Sequence, residues 1–515
     1  MKAQFGISND PWIRNGAIIF FMHIKKMNSI NEDFSEITNG KIDYNNLSIE
    51  YDDLEDLKNI FTFIIDDVRA NYIKTKNKDV KIDVQNDTME TIDRESFSQL
   101  TKFFFKGILP QPQKREQYKL EEISEKLQKE YNSISENINQ KGMKIYDRCA
   151  KLNVINLNDF NRKGHCDFCG NNDVNIDKIK TKYYPFAASL NKYGNFYSNF
   201  KSNLNICMYC SLSSFLIYEK LPFLISGKKL FFAIPVINLN FKQFWQHIDF
   251  NTGENALNKD YGNIGNRSVD GIFNAFINLI YYLNEKIDEI KDVDIEETKN
   301  QWRNLSWMIG NATDKHFINI YTYNDTAKLS NLISKLKNNN INLPVLLRNF
   351  VIVNGQNRNS IYSNEISRLI MYSQDINGEI EQFYSESIKS GKAKEVKFLN
   401  SFVMIYNQEV MNMENEDLRG YYGIGKEIGR YCRGDKDKGI PPDKDMLYEL
   451  RSCTNLKQFL QFFDRATFKI DTLHISYNFL LKIDDSNWQD LKSIISIFAH
   501  QEFYNNKQEE IKNEQ

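Results

Sequence analysis

Four of the seven cysteines fall into two identical spacings. "GHCDFCGNND" sets Cys166 and Cys169 two residues apart, and "NICMYCSLSS" does the same with Cys207 and Cys210. The full pattern is C-x2-C-x37-C-x2-C. Two intervening residues let both sulfurs of a pair turn toward one ion while backbone amides offset the thiolate charge. Two such knuckles complete a tetrahedral shell, the donor set of Zn²⁺. Gly164 and Gly170 flank the first pair, as a tight turn needs. Four sulfur ligands close the shell, so the expected zinc is structural and activates no water. A thioredoxin-like redox use requires a pair that follows a strand and opens a helix in a βαβ pattern, and the sequence predicts this for neither pair. His165 stands beside the first knuckle and is read as a bystander.

Other chemistry finds little support. The six histidines (His23, His165, His247, His316, His474 and His500) form no H-E-x-x-H, and no G-x-x-x-x-G-K-[ST] loop is present to cradle phosphates. "GYYGIGKEIGRYCRG" has a Gly-x-Gly core, but it lies in helical sequence with no strand before it. Gly425 and Gly429 there predict close helix packing. "DVDIEE" lacks the rest of a calcium loop and reads as a solvated face. No catalytic constellation is proposed, and the expectation is a protein that is not an enzyme.

A chain of 515 residues predicts two to four domains. Its net charge of −2 argues against coating nucleic acid unaided, because phosphate binding needs clustered Lys and Arg. Local basic runs exist, such as "KTKNK" with Lys74, Lys76 and Lys78, and most such runs are solvated. "MKAQFGISNDPW" has no apolar core of a leader peptide, and "AIIFFM" and "LFFAIPVI" are too short to span a bilayer. With an odd cysteine count, this reads as a cytoplasmic protein without a membrane segment.

The pattern along the chain predicts an α+β, multidomain fold with an inserted four-cysteine zinc-binding module and a C-terminal helical bundle. Residues 1–150 read as an N-terminal α+β domain, 160–215 as the cysteine module, 216–385 as an α+β continuation and 390–515 as the bundle. Helices are expected over 11–27 (entered through Asn9-Asp10 and Pro11), 52–68, 94–109 and 269–287. The charged stretch 116–139 reads as an exposed connecting helix. Strands are expected over 41–51, 80–84, 228–240, 316–324 and 346–355. From about Ile380 onward the periodicity is helical.

The paired "CDFC…CMYC" inside an α+β chain, with "NDPWIRNGAIIFF" near the start, resembles the CXXC–CXXC class of large subunits from type I-B CRISPR Cascade complexes. The resemblance lies in residues 9–21 and 164–212, and elsewhere in architecture alone. It implies a non-catalytic subunit that binds at the crRNA, contacts the protospacer-adjacent motif of double-stranded DNA, assembles with other Cascade subunits and docks a separate helicase-nuclease. It also implies that the helical C-terminal part can be made separately, with Met371, Met404, Met411 and Met413 as starts. Polar loops suit groove contacts, which makes Asn263 and Arg267 in "YGNIGNRS" and Gln356, Asn357 and Arg358 in "NGQNRNS" candidates. Lys74, Lys76 and Lys78 are candidates for phosphates. Two other classes stay open: a free-standing zinc-ribbon nucleic-acid-binding protein and an unrecognised nuclease.

Overall fold

The computed structural model describes residues 1–83, 86–97, 117–139, 143, 145–146, 155–180, 183–186, 204–217, 220–226, 229–237, 242–248, 271–291, 296–313, 317–354, 357–359, 361–391, 395–435 and 440–505. The chain divides into two units. Unit 1 comprises Met1–Asn258 with Met308–Tyr321, and unit 2 comprises Lys259–Trp307 with Thr322–Gln515. Helices and small sheets mix in the α+β manner that the pattern predicts, and residues 216–385 contribute to both units.

In unit 1, strand β1 (Lys2–Gln4) leads to helix α1 (Pro11–Ile30). Asp10 starts that helix: its Oδ1 accepts from the amides of Trp12 at 2.8 Å and Ile13 at 3.1 Å. Helix α2 (Glu32–Thr38) follows. The expected strand 41–51 is a hairpin instead, β2 (Ile42–Asp43) and β3 (Ser48–Glu50). Asp43 Oδ1 accepts from the Asn45 and Asn46 amides and turns the chain between them.

Helix α3 (Leu54–Tyr72) runs directly into β4 (Ile73–Asp83), which pairs antiparallel with β5 (Thr88–Phe97). Strand β5 takes the first residues of the helix expected over 94–109, and residues 98–116 lie outside the described ones. Short β6 (Gln117–Tyr118) and β7 (Ile145–Tyr146) complete the sheet order β5-β4-β7-β6. Helix α4 (Glu125–Asn137) occupies the stretch expected as an exposed connector. It is not merely a spacer, because Leu127 and Tyr131 bury against Val80, Ile82 and Ile145. The Tyr131 hydroxyl donates to the Met143 carbonyl at 2.8 Å.

Strands β8 (Arg162–Gly164), β9 (Val174–Lys178) and β10 (Asn205–Cys207) form a three-stranded sheet in the order β10-β9-β8. Helix α5 (Met208–Leu216) continues directly from β10. Strands β11 (Phe223–Ser226), β12 (Lys229–Pro235), β13 (Trp307–Thr313) and β14 (Phe317–Tyr323) make a four-stranded sheet in sequence order, followed in the chain after β12 by helix α6 (Lys242–His247).

Unit 2 is mainly helical: α7 (Ile272–Glu289), α8 (Glu296–Arg303), α9 (Thr326–Asn338) and α10 (Leu343–Leu347) come first. The last of these corrects the strand expected over 346–355. Asn342 caps the Val345 amide at 3.0 Å and starts a helix there, leaving only β15 (Ile352–Asn354) extended. It forms a hairpin with β16 (Asn357–Asn359). Helices α11 (Ile361–Met371), α12 (Asn377–Lys389), α13 (Leu399–Glu409), α14 (Asn415–Arg433), α15 (Asp445–Ser452), α16 (Leu456–Lys469), α17 (Tyr477–Leu481) and α18 (Trp488–Tyr504) follow.

The glycines of α14 pack as the sequence predicts. A Cβ at Gly425 would lie 2.6 Å from Phe498 Cβ, and one at Gly429 would lie 2.4 Å from the Ala499 carbonyl oxygen. Any side chain there pushes α14 off α18. Among the described residues no helix is long and apolar enough to cross a membrane.

His500 of α18 is fully enclosed and stacks on Tyr384 with ring centroids 5.5 Å apart. Its Nδ1 lies 2.6 Å from the Ser496 carbonyl, which fixes the neutral tautomer that carries the proton there. Burial, with Arg451 nearby, lowers its pKa from 6.5 to about 4, against the opposing hydrogen bond to Ser496. The unfolded chain therefore binds a proton that the folded chain refuses between these values. Stability is lost as pH falls through that window, by up to about 3 kcal/mol. Urea unfolding followed between pH 7 and 4 should show this loss, and His500→Gln should flatten the slope.

Candidate metal centre

The two cysteine pairs sit on different local structures. Cys166 and Cys169 lie on the turn between β8 and β9. The Cys166 amide donates to the Asn171 carbonyl at 2.9 Å, and the Gly170 amide donates to the Cys166 carbonyl at 3.0 Å. Gly170 has φ +75°, which a residue with a Cβ adopts only under strain. Cys207 ends β10 and caps α5, whose first turn holds Cys210. The second pair thus sits at a strand–helix junction, but no βαβ pattern surrounds it: β10 pairs antiparallel with β9, and β11 belongs to another sheet. The strand is only three residues long, too short for its period to register.

All four sulfurs nevertheless converge, lying within 4.8 Å of one another. Cys166 Sγ is 4.0 Å from Cys210 Sγ, and Cys169 Sγ is 3.8 Å from Cys207 Sγ. Tetrahedral thiolates about 2.3 Å from one ion stand about 3.8 Å apart, whereas a disulfide needs about 2 Å. The residues fit a single metal ion. His165 is outside the group: its Nδ1 lies 2.9 Å from Asn172 Oδ1 at the exposed surface.

Backbone dipoles support the sulfur charge. The Cys207 amide donates to Cys166 Sγ at 3.3 Å, and the Cys210 amide donates to Cys207 Sγ at 3.4 Å. Hydrogen bonds from the Cys169, Cys207 and Cys210 thiols hold Cys166 far below the usual thiol range. The Cys210 thiol, facing Cys166, Cys169 and Cys207 and buried, is pushed well above it. Thiols this close share their protons as one coupled set, and a divalent ion displaces those protons on binding.

The knuckles are bolted to each other and to α1. Asp167 donates its amide to the Asn205 carbonyl at 3.0 Å, and its Oδ2 accepts from the Asn205 amide at 2.7 Å. Phe168, inside the first pair, packs on Tyr184 with centroids 4.9 Å apart. Tyr209, inside the second, packs on Phe5 at 5.3 Å. The sequence reading missed these aromatics. Their signal was present, since each Cys-x-x-Cys carries an aromatic directly before its second cysteine.

The remaining predicted contacts are distributed elsewhere. Lys74, Lys76 and Lys78 lie on β4, with Lys74 at an irregularity of the β4–β5 pairing. In register Lys76 stands opposite Glu95 and Lys78 opposite Asp93 on β5. Asn357 and Arg358 belong to β16, paired with Asn354 and Val353. Gln356, Asn263 and Arg267 lie outside the described residues.

No family model matches the chain, and no curated protein matches it. The geometry therefore carries the functional argument.

Purified chain should hold one metal ion per molecule by elemental analysis. Cys166→Ser should lose the ion and lower the unfolding midpoint together, because metal binding and local folding are one equilibrium. A metal-free chain with an unchanged midpoint would contradict the site.

Proposed function

We propose that the chain is the non-catalytic large subunit of a type I-B CRISPR RNA-guided surveillance complex, and that its four-cysteine centre holds a structural Zn²⁺. The observation carrying this reading is the meeting of the two segments that bear the resemblance. The opening motif and the cysteine module pack together in unit 1, with Trp12 Nε1 donating to the Ser214 carbonyl at 3.1 Å. A shell of four thiolates leaves no open position for a reacting water, as a scaffold requires.

In this reading the guide supplies sequence recognition by base pairing, and the protein supplies recognition of the short flanking motif. A near-neutral chain suits that division, because other subunits share the neutralisation of phosphates. The β15–β16 pair offers a backbone of the right kind, a two-stranded ribbon that carries Asn357 and Arg358 on β16. A two-stranded ribbon fits the major groove of duplex DNA. A separately made C-terminal bundle, in turn, would start at Met371 rather than Met404. Met404 lies within α13, and a start there would discard α12, whose Glu381 accepts from Ser493 of α18 at 2.7 Å.

The test is reconstitution of the guide-loaded complex with and without this chain. Binding to duplex that carries the flanking motif should require the chain. Replacing Gln356, Asn357 and Arg358, or Asn263 and Arg267, by alanine should weaken motif-dependent binding in at least one set by roughly 5- to 150-fold, the loss of one good base contact. Motif-independent binding would contradict the proposal, and metal-dependent DNA cleavage by the isolated chain would favour a nuclease.

A further inference from the structure

We infer that the metal centre is a clamp that seats the N-terminal helix, so that metal occupancy and docking of α1 are one coupled equilibrium. The inference rests on the metal reading of the four cysteines and extends it to residues that touch no metal.

Three chains of contact run from the ligands to α1. From the first knuckle, Phe168 packs on Tyr184, and the Tyr184 hydroxyl donates to Asp10 Oδ2 at 2.6 Å. The other oxygen of Asp10 caps α1. From the second knuckle, Tyr209 packs on Phe5, and Phe5 stacks on Phe20 of α1 with centroids 4.9 Å apart. From the helix that Cys207 caps, the Ser213 carbonyl oxygen lies only 1.8 Å from where a Cβ on Gly16 would stand. Trp12 Nε1 also donates to Ser214 Oγ at 3.0 Å.

The other side of α1 is equally committed. Asn15 Nδ2 donates to the Pro235 carbonyl at 2.8 Å, and Asn15 Oδ1 accepts from Trp245 Nε1 at 2.7 Å. Arg14 Nε donates to the Ser8 carbonyl at 3.0 Å. Trp12, Asn15 and Gly16 are buried. Asp10, Trp12, Asn15 and Gly16 of "NDPWIRNG" therefore serve as a receptor for the cysteine module, for β12 and for α6.

Coupling is reciprocal: if the metal seats the helix, the seat must tighten the metal. Hydrogen exchange on the full chain, with and without a zinc chelator, reads the first half. Chelation should lower amide protection across residues 11–30 at least about tenfold, as local opening does. It should leave α14 and α18 of unit 2 unchanged, and added zinc should restore protection. The second half is read by zinc release to a chelator from Tyr184→Phe, which keeps all four thiols and cuts the link to Asp10. Release should be about 5- to 150-fold more favourable than from the unaltered chain. Gly16→Ala should act in the same direction. If the stripped chain aggregates, release from Tyr184→Phe decides. Loss of zinc with unchanged protection of α1, or unchanged release from Tyr184→Phe, would overturn the coupling while leaving the metal site standing. A chain that binds no zinc would overturn both.

Discussion

Four sulfurs held at contact distance form an arrangement that cannot stand as four free anions. Two unit charges 4 Å apart repel by about 4 kcal/mol at an effective dielectric near 20, and here several such pairs coexist. The cluster requires either shared protons or a cation. Knuckle amides, the start of α5 and the Asp167–Asn205 bridge all act to hold the sulfurs in this relation. The rest of unit 1 is arranged around that constraint. The turn between β8 and β9 presents one pair, the β10–α5 junction presents the other, and α1 lies against both through Phe5, Tyr184 and Ser213. A surface of long charged side chains would not need a glycine at position 16. A helix laid against another backbone does.

Much of this was legible in the residues. The cap at Asp10 with Pro11, the doubled Cys-x-x-Cys, and Gly425 and Gly429 as packing glycines each have a local cause that sequence displays directly. Other features were settled by forces that a short window does not contain. The helix expected from Arg94 is strand through Phe97 because β4 offers a partner along its whole length, and pairing overrides local period. The stretch 116–139 reads as a solvated spacer because charged residues separate its apolar positions. They nevertheless gather on the small sheet: Ile123, Leu127 and Tyr131 are buried there, with Tyr118, Leu120, Ile134 and Ile138 packed against them. The β10–α5 junction escaped notice because three residues cannot show an alternation. Pairing of the N-terminal motif with the cysteine module spans some two hundred residues, and only the folded chain displays it.

Unit 2 follows a different logic. Its helices are held by close backbone approach and by buried amides, such as Asn377 and Asn407, which exchange hydrogen bonds at 2.9 Å and 3.0 Å. Such pairs fix helix register, since a slip of one residue would leave both amides without partners in an apolar surround. Unit 1 thus centres on the four-sulfur cluster, while unit 2 is a helical unit held in register by paired amides.

The central claim is that Cys166, Cys169, Cys207 and Cys210 bind one ion as a closed four-sulfur shell. X-ray absorption at the zinc edge of the purified full chain tests it most directly. The account predicts four sulfur scatterers at about 2.3 Å and no oxygen or nitrogen in the shell. A mixed shell with an open or water-filled position, or a chain without zinc whose four thiols are freely alkylated in the native state, would contradict it.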